Sequence, residues 1–331
     1  MVANFSNALF DFSLKKFSQG GLFPQNPKES GEAAPINFYR TMKVIRAKSA
    51  GFCFGVERAI GIAIGCTDGG RCKVYTDGPL IHNRQMMERL QNDGILEIGD
   101  YKSEKPIEGE IGDSDKNSIL VFRAHGVSPE RREYLKSLGM PCKDATCPDV
   151  GKIAGIIKMH SNKGYTIVIV GDPNHPEVIG LLGYAGGRGV VVKSREDIDG
   201  LDGIEGEICM VSQSTMFTDD YRELSEYFKA RFPNTKVIDT ICGATKERQK
   251  DVRQLAQEGA EAIIVIGGKH SANTVKLAIM ARRTGLPCYH VETLRELDLD
   301  AVKKYSAVGV TAGASTPDFL IDEVCKKLES L

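Results

Sequence analysis

Cys53 lies within Gly51-Phe52-Cys53-Phe54-Gly55, just before Val56-Glu57-Arg58-Ala59-Ile60, a run that reads as helix. A thiol at a helix mouth meets unpaired backbone N–H groups and the positive end of the dipole, which favour its thiolate. A lone cysteine there is more simply a small buried hydrophobe. Cys53 is not alone, because Cys147 and Cys242 follow at intervals that agree to within one residue, and His82, His175 and His270 trail the three cysteines at equally matched offsets. Three thiols carried by three like units and meeting at one point bind metal; the competing reading leaves them as core residues at equivalent repeat positions. Structural zinc normally takes four ligands, often in close cysteine pairs, and no C-x-x-C occurs in the chain. Three thiolates fit a 4Fe–4S cluster better, with one iron lacking a protein ligand and able to act as a Lewis acid while the cluster delivers electrons. Cys66, Cys72, Cys142, Cys209, Cys288 and Cys325 break the pattern and read as structural.

Polar turns form a second constellation. His82, His125 and His175, with Ser271, Asn273 and Ser315, offer donors at strand ends and helix starts, where phosphate oxygens are held. One such residue is more often a cap; several brought together by repeat symmetry form an anion pocket. Glu177, two residues beyond His175, is either a first-turn carboxylate favoured by the helix dipole or, among cationic histidines and an open iron, a proton carrier.

Beyond Met42 short β-branched runs alternate with amphipathic segments, the signature of α/β units around parallel sheets. Each cysteine is followed by a strand, a turn and a helix. A third element, again a strand, a polar turn and a helix, then follows in "SILVFRAHGVSPERREYL", "EICMVSQSTMFTDDYREL" and "SAVGVTAGASTPDFLIDEV", with Ser128, Thr218 and Thr316 expected as N-caps. The expected fold is α/β, three αβ modules related by a pseudo-threefold axis around a central iron–sulfur cluster, with permutation at the ends. The modules are expected at 42–139, 140–235 and 236–331, the last with its C-terminal segment returning towards the first. Ligands of open α/β sheets bind beyond the carboxyl ends of strands, so the three sets of turns converge on one site. Residues 1–41, Phe-containing and then rich in Gly, Pro, Ser and Glu, are expected to be a disordered extension ahead of a natural start at Met42.

A formal charge of −1 with scattered Lys and Arg gives no field for a nucleic-acid backbone, and no apolar run is long enough to cross a bilayer. Nine cysteines without a secretory signal suggest a reducing, cytoplasmic setting.

Eight ordered motifs, "GFCFGVERAI", "HNR", "AHGVS", "DATCP", "HPEVIG", "SQST", "DTICGATKERQ" and "VGVTAGASTPD", together resemble the 4-hydroxy-3-methylbut-2-enyl diphosphate reductases of the non-mevalonate isoprenoid pathway, over about residues 42–331. The resemblance implies a three-domain trefoil around a 4Fe–4S cluster held by Cys53, Cys147 and Cys242. It also implies a diphosphate ring of His82, His125, His175, Ser271, Asn273 and Ser315, a proton donor in Glu177, and Ser214 at a position commonly threonine. The implied reaction is a two-electron reductive dehydroxylation to isopentenyl or dimethylallyl diphosphate, with ferredoxin or flavodoxin as electron donor. Two departures stand out. Ala272 occupies a place where the family usually has a second serine, and repeat spacing nominates His270, which the resemblance leaves outside the site. The competing functions are another open-cluster enzyme, such as a dehydratase or quinolinate-synthase-like protein, and a non-catalytic metal or phosphate-binding module.

Overall fold

In the computed structural model, residues 41–99, Ile107 and 117–331 are described. Its central strands include short, largely apolar runs such as β6 (Thr166–Val170, TIVIV) and β10 (Ala262–Ile266, AIIVI). Such runs belong to parallel sheets covered on both faces. In β6 this is visible residue by residue. Ile167 and Ile169 pack into one cluster with Ile153, Ile157 and Val178, while Val168 and Val170 pack into another with Leu224 and Phe228.

Three four-stranded sheets result. The first contains β2 (Val74–Asp77), β3 (Ile95–Ile98), β4 (Ile119–Phe122) and β5 (Cys142–Asp144) in the order β3-β2-β4-β5. The second adds β7 (Gly189–Val192), β8 (Ile208–Ser212) and β9 (Thr235–Val237) to β6, in the order β7-β6-β8-β9. The third adds β11 (Cys288–Val291), β12 (Ala307–Ala312) and β1 (Lys43–Arg46) to β10, in the order β11-β10-β12-β1. Every pairing is parallel. The three orders are one pattern repeated, and the expected α/β repeat with permuted ends is what the structure contains.

Each sheet keeps the strand that runs into the next cysteine: β5, ending three residues before Cys147, stays with the first sheet, and β9 stays with the second. It is the N-terminal strand β1 that completes the third sheet, rather than the C-terminal segment that completes the first. The expectation for residues 1–41 lies outside the described residues apart from Thr41.

The caps also differ from expectation. Ser128 accepts the Arg131 N–H and starts α3 (Pro129–Ser137) as expected. Thr218 is instead the first residue of α7 (Thr218–Arg231), and its hydroxyl is taken by Gln249 Oε1. Thr316 precedes α11 (Asp318–Glu329), and its hydroxyl donates to Ile266 O of β10 at 3.0 Å. A tertiary acceptor outcompetes the local cap in both.

Candidate active site

Cys53, Cys147 and Cys242 are the residues immediately before α1 (Phe54–Cys66), α4 (Pro148–Ser161) and α8 (Gly243–Gln257). Their backbone N–H groups are anchored alike. Cys53 donates to Ala314 O at 3.1 Å, Cys147 to Ala124 O at 2.9 Å and Cys242 to Ser214 O at 3.0 Å, each acceptor lying in the turn after a sheet's third strand. The turn after β12 thus fixes Cys53, the turn after β4 Cys147 and the turn after β8 Cys242.

All three cysteines line one cavity, together with His82, His125, His175, Glu177, Ser214, Ser271, Asn273 and Ser315. Every residue to which the resemblance gives a site role is therefore in the same wall. His270 is exposed and borders a separate open crevice of about 730 Å³ that meets the site at His82 and Ser271.

The histidines form a triangle, with ring centroids 4.3 Å apart for His82 and His125, 6.0 Å for His82 and His175, and 5.9 Å for His125 and His175. Burial, reinforced by the neighbouring histidines and Arg123, holds His125 well below the usual imidazole range. Burial, His82, Lys276 and Arg123 bring His175 down to about 3. Both shifts favour the neutral ring at pH 7, against the expectation of cationic histidines. His175 caps α5 (Pro176–Gly183), its Nδ1 accepting the Glu177 N–H at 3.2 Å, so the ring proton sits on Nε2.

The other modules place related groups at the same helix position. Asn83 caps α2 (Arg84–Asn92), and Ser271 caps α9 (Ala272–Arg283) by accepting the Thr274 N–H, which leaves its own proton to donate. Asn273 Nδ2 and His125 Nδ1 are buried without a hydrogen-bond partner. Unpaired buried groups of this kind are costly, and a ligand offsets that cost. Ser315 donates to His82 O at 2.9 Å, joining the third module to the first. Ala272 lines the cavity from the first position of α9 and brings no hydroxyl there.

Glu177 is fully buried, and both its oxygens are gripped by one residue: Ser214 N reaches Oε1 and Ser214 Oγ reaches Oε2, each at 2.6 Å. Burial pushes the carboxyl's proton affinity up, opposed by the two Ser214 bonds and by Lys276. Ser214 is thus the clamp of Glu177.

The thiols are less acidic than their helix positions suggest. Burial pushes Cys147 and Cys242 up, overriding N–H groups of the next turn that favour the thiolate. Arg248, a residue sequence reasoning missed, is buried beside them. Its guanidinium donates to Gly51 O at 2.6 Å and Ala244 O at 3.0 Å, and its charge is favoured by Cys53 and Cys242. An arginine on the apolar side of an amphipathic helix, in "DTICGATKERQ", was the available signal.

Two observations bear on a cluster. Among the described residues no three His, Cys, Asp or Glu side chains are grouped closely enough for a single metal ion. At Gly55 an added Cβ would lie 2.5 Å from Cys147 Sγ and 3.9 Å from Cys53 Sγ, so the glycine keeps clear the space between two of the thiols. Thiols that surround a space from three sides suit a group larger than one ion.

The LytB protein family model matches residues 44–329. The chain belongs to the LytB family. The 4-hydroxy-3-methylbut-2-enyl diphosphate reductase of Opitutus terrae is 61% identical over 290 residues, covering 88% of this chain and 100% of the relative. That of Alkaliphilus oremlandii is 39% identical over 292 residues, again covering 88% and 100%. Among solved LytB-like structures, the E-1-hydroxy-2-methyl-but-2-enyl-4-diphosphate reductase of Plasmodium falciparum superposes with a TM-score of 0.78 at 28% identity, covering 88% of each chain. The three-sheet LytB fold therefore extends across distant sequences, and the cavity here lies at the meeting of its three modules.

Proposed function

We propose that this chain reduces 4-hydroxy-3-methylbut-2-enyl diphosphate to isopentenyl and dimethylallyl diphosphate on a 4Fe–4S cluster held by Cys53, Cys147 and Cys242. One observation carries the reading: a single cavity gathers three thiols from three modules, a triangle of histidines and a buried carboxyl. The donor set fits both groups. Three thiols on different sides, with Gly55 keeping space between two of them, suit a cluster with three cysteine ligands. When bound, the cluster supplies electrons and a Lewis-acidic iron for the substrate hydroxyl.

The protein's own contribution begins with the diphosphate. The N-termini of α2, α5 and α9 bring partial positive charge to the cavity, and His82, His125, His175 Nε2, Ser271 and Asn273 supply side-chain donors, joined by Ser315 when its hydroxyl turns from His82 O. Asn273 Nδ2 and His125 Nδ1, without partners in the protein, are placed to meet an anion. The allylic alcohol takes up two electrons and two protons and releases water; the new C–H bond forms at the carbon that lost oxygen, giving dimethylallyl diphosphate, or at the far end of the allyl unit with the double bond shifted, giving isopentenyl diphosphate. Glu177, held at both oxygens by Ser214, delivers a proton at the departing oxygen. Electrons come from an external one-electron carrier, ferredoxin or flavodoxin. A reducing cytoplasm suits this chemistry. The cysteines are free thiols, and no described helix is long and apolar enough to cross a membrane.

The test is anaerobic purification, iron and sulfide quantification, and turnover of the diphosphate with dithionite. About four irons per chain and both five-carbon diphosphates are expected. A cluster without this activity returns the chain to the open-cluster dehydratase reading, and iron-free protein overturns both.

A further inference from the structure

Lys276, on α9, belongs to no motif that the sequence reading singled out. Its half-buried ammonium donates to Thr215 O at 2.9 Å, touches Met216 Sδ at 3.5 Å and stands 5.8 Å above the centre of the Phe217 ring. It therefore holds the turn after β8, and that turn is a junction. Ser214 grips Glu177 through its N–H and hydroxyl, Ser214 O accepts the N–H of Cys242, and the next carbonyl is held by Lys276. Asn273 lies one helical turn earlier on the same helix and forms part of the cavity wall. One rigid element of the third module thus presents a pocket donor and, from behind, braces the clamp of the second module's carboxyl.

The pseudo-threefold repeat supplies a comparison within the molecule. The fifth residue of α2 is Glu88, exposed and paired with Arg84 at 2.9 Å. The fifth residue of α5 is Gly180, where an added Cβ would come 3.4 Å from the Val127 backbone, so this helix packs closely on the turn after β4. The fifth residue of α9 is Lys276. Of these equivalent positions, a cation occurs only where the neighbouring turn holds a carboxylate. The acidic groups that favour Lys276's charge are Glu177, then Asp172 and Asp220. Around Glu177 itself are Ser214 on the β8 turn, Lys276 on α9 and Asp149 on α4.

We propose that Lys276 is a positioning residue: by bracing Thr215 it fixes Ser214, and through Ser214 it sets the place and protonation of Glu177. It acts through the turn, with its ammonium bound behind Thr215, and is not a diphosphate ligand. The proposal rests on the proton-carrying role of Glu177 given above. In Lys276→Met and Lys276→Gln, kcat falls about tenfold or more while KM for the diphosphate stays within about twofold, the mark of an interaction used in the transition state. Lys276→Arg restores most of kcat. If the Met variant does not fold, the Gln and Arg variants decide. A rise in KM that matches the loss in kcat, or an Arg variant no better than Gln, overturns the proposal. A second readout needs no turnover. In the iron-loaded protein the infrared carboxyl band of Glu177, assigned by its loss in Glu177→Gln, shifts in Lys276→Gln and returns in Lys276→Arg; an unmoved band overturns the proposal. A wild-type protein without reductase activity would count against the proposed function and leave this second test intact.

Discussion

At the scale of single residues, burial decides more than residue type does. Glu177 was legible as a candidate because it follows His175 by two positions, but its partner was not: a serine in "SQST" signals a hydroxyl, not the carboxylate it holds. Glu177→Gln keeps the size of the side chain and removes its titration. Iron content should be unchanged while turnover falls at least about a hundredfold, the low end of general-acid contributions; near-normal turnover would remove Glu177 from the mechanism. The histidines were legible as a group and misread in charge, because burial cannot be read from the motif. His175 is brought down to about 3 and His125 well below its usual range, which favours the neutral ring in both. A bound diphosphate favours their charged forms and opposes those shifts, so binding at acidic pH is accompanied by proton uptake and weakens as pH rises. Calorimetry in buffers of different ionisation enthalpy reads this directly with substrate, and zero net uptake contradicts it. The lowered His175 affinity also acts on stability. The unfolded histidine binds its proton first, so stability is lost as pH falls from about 6.5 towards 3.

At the scale of elements, the legible features were those that repeat. Three cysteines at like intervals do start three helices, because each follows an edge strand and takes its N–H bond from the turn beside it. The caps at Thr218 and Thr316 were misread because Gln249 and the Ile266 carbonyl come from distant sequence. Lys276 and Arg248 were missed for the same reason, since a cation on a helix gives no sign of the carbonyl it will meet in another module. Gly55 is an element-scale case with an outcome to measure. Alanine is favoured over glycine inside a helix by about 1 kcal/mol, which alone would make Gly55→Ala stabilising. Its Cβ, however, would sit 2.5 Å from Cys147 Sγ, and that cysteine is fixed by its own N–H bond to Ala124. The helix should remain and the site should not: the variant folds with wild-type circular dichroism but retains less than about half the iron. Full iron loading would show that Cys147 moves aside freely.

At the scale of the whole molecule, the cyclic order of the sheets is the central fact. In the first sheet the chain passes from α3 through residues 138–141 into β5 and then to Cys147. In the second it passes from α7 through 232–234 into β9 and then to Cys242. In the third, α11 ends at Glu329 and the equivalent edge strand is β1, which leads to Cys53. Spacing predicted a permutation at the ends, but not which end crosses over, since a short strand such as Lys43–Arg46 pairs as well with one parallel neighbour as another until packing chooses. The choice here is held by backbone pairing of β1 with β12 and by Arg46, which binds Asp318 and Asp322 of α11 at 2.7 Å each. If the third sheet is the same unit cut open, closing it should cost little. Joining Leu331 directly to Thr41 leaves Ser330, Leu331, Thr41 and Met42 as the link, close in length to the two natural ones. New ends belong in the exposed stretch around Gly203 and Gly206, before β8, where no strand pairing is cut. This circular permutant should fold, load iron as the parent does and keep activity within about threefold. A permutant that is insoluble or free of iron would mean that β1 needs more than its place in the sheet order to find β12, and that the threefold repeat describes the final packing without describing how the chain reaches it.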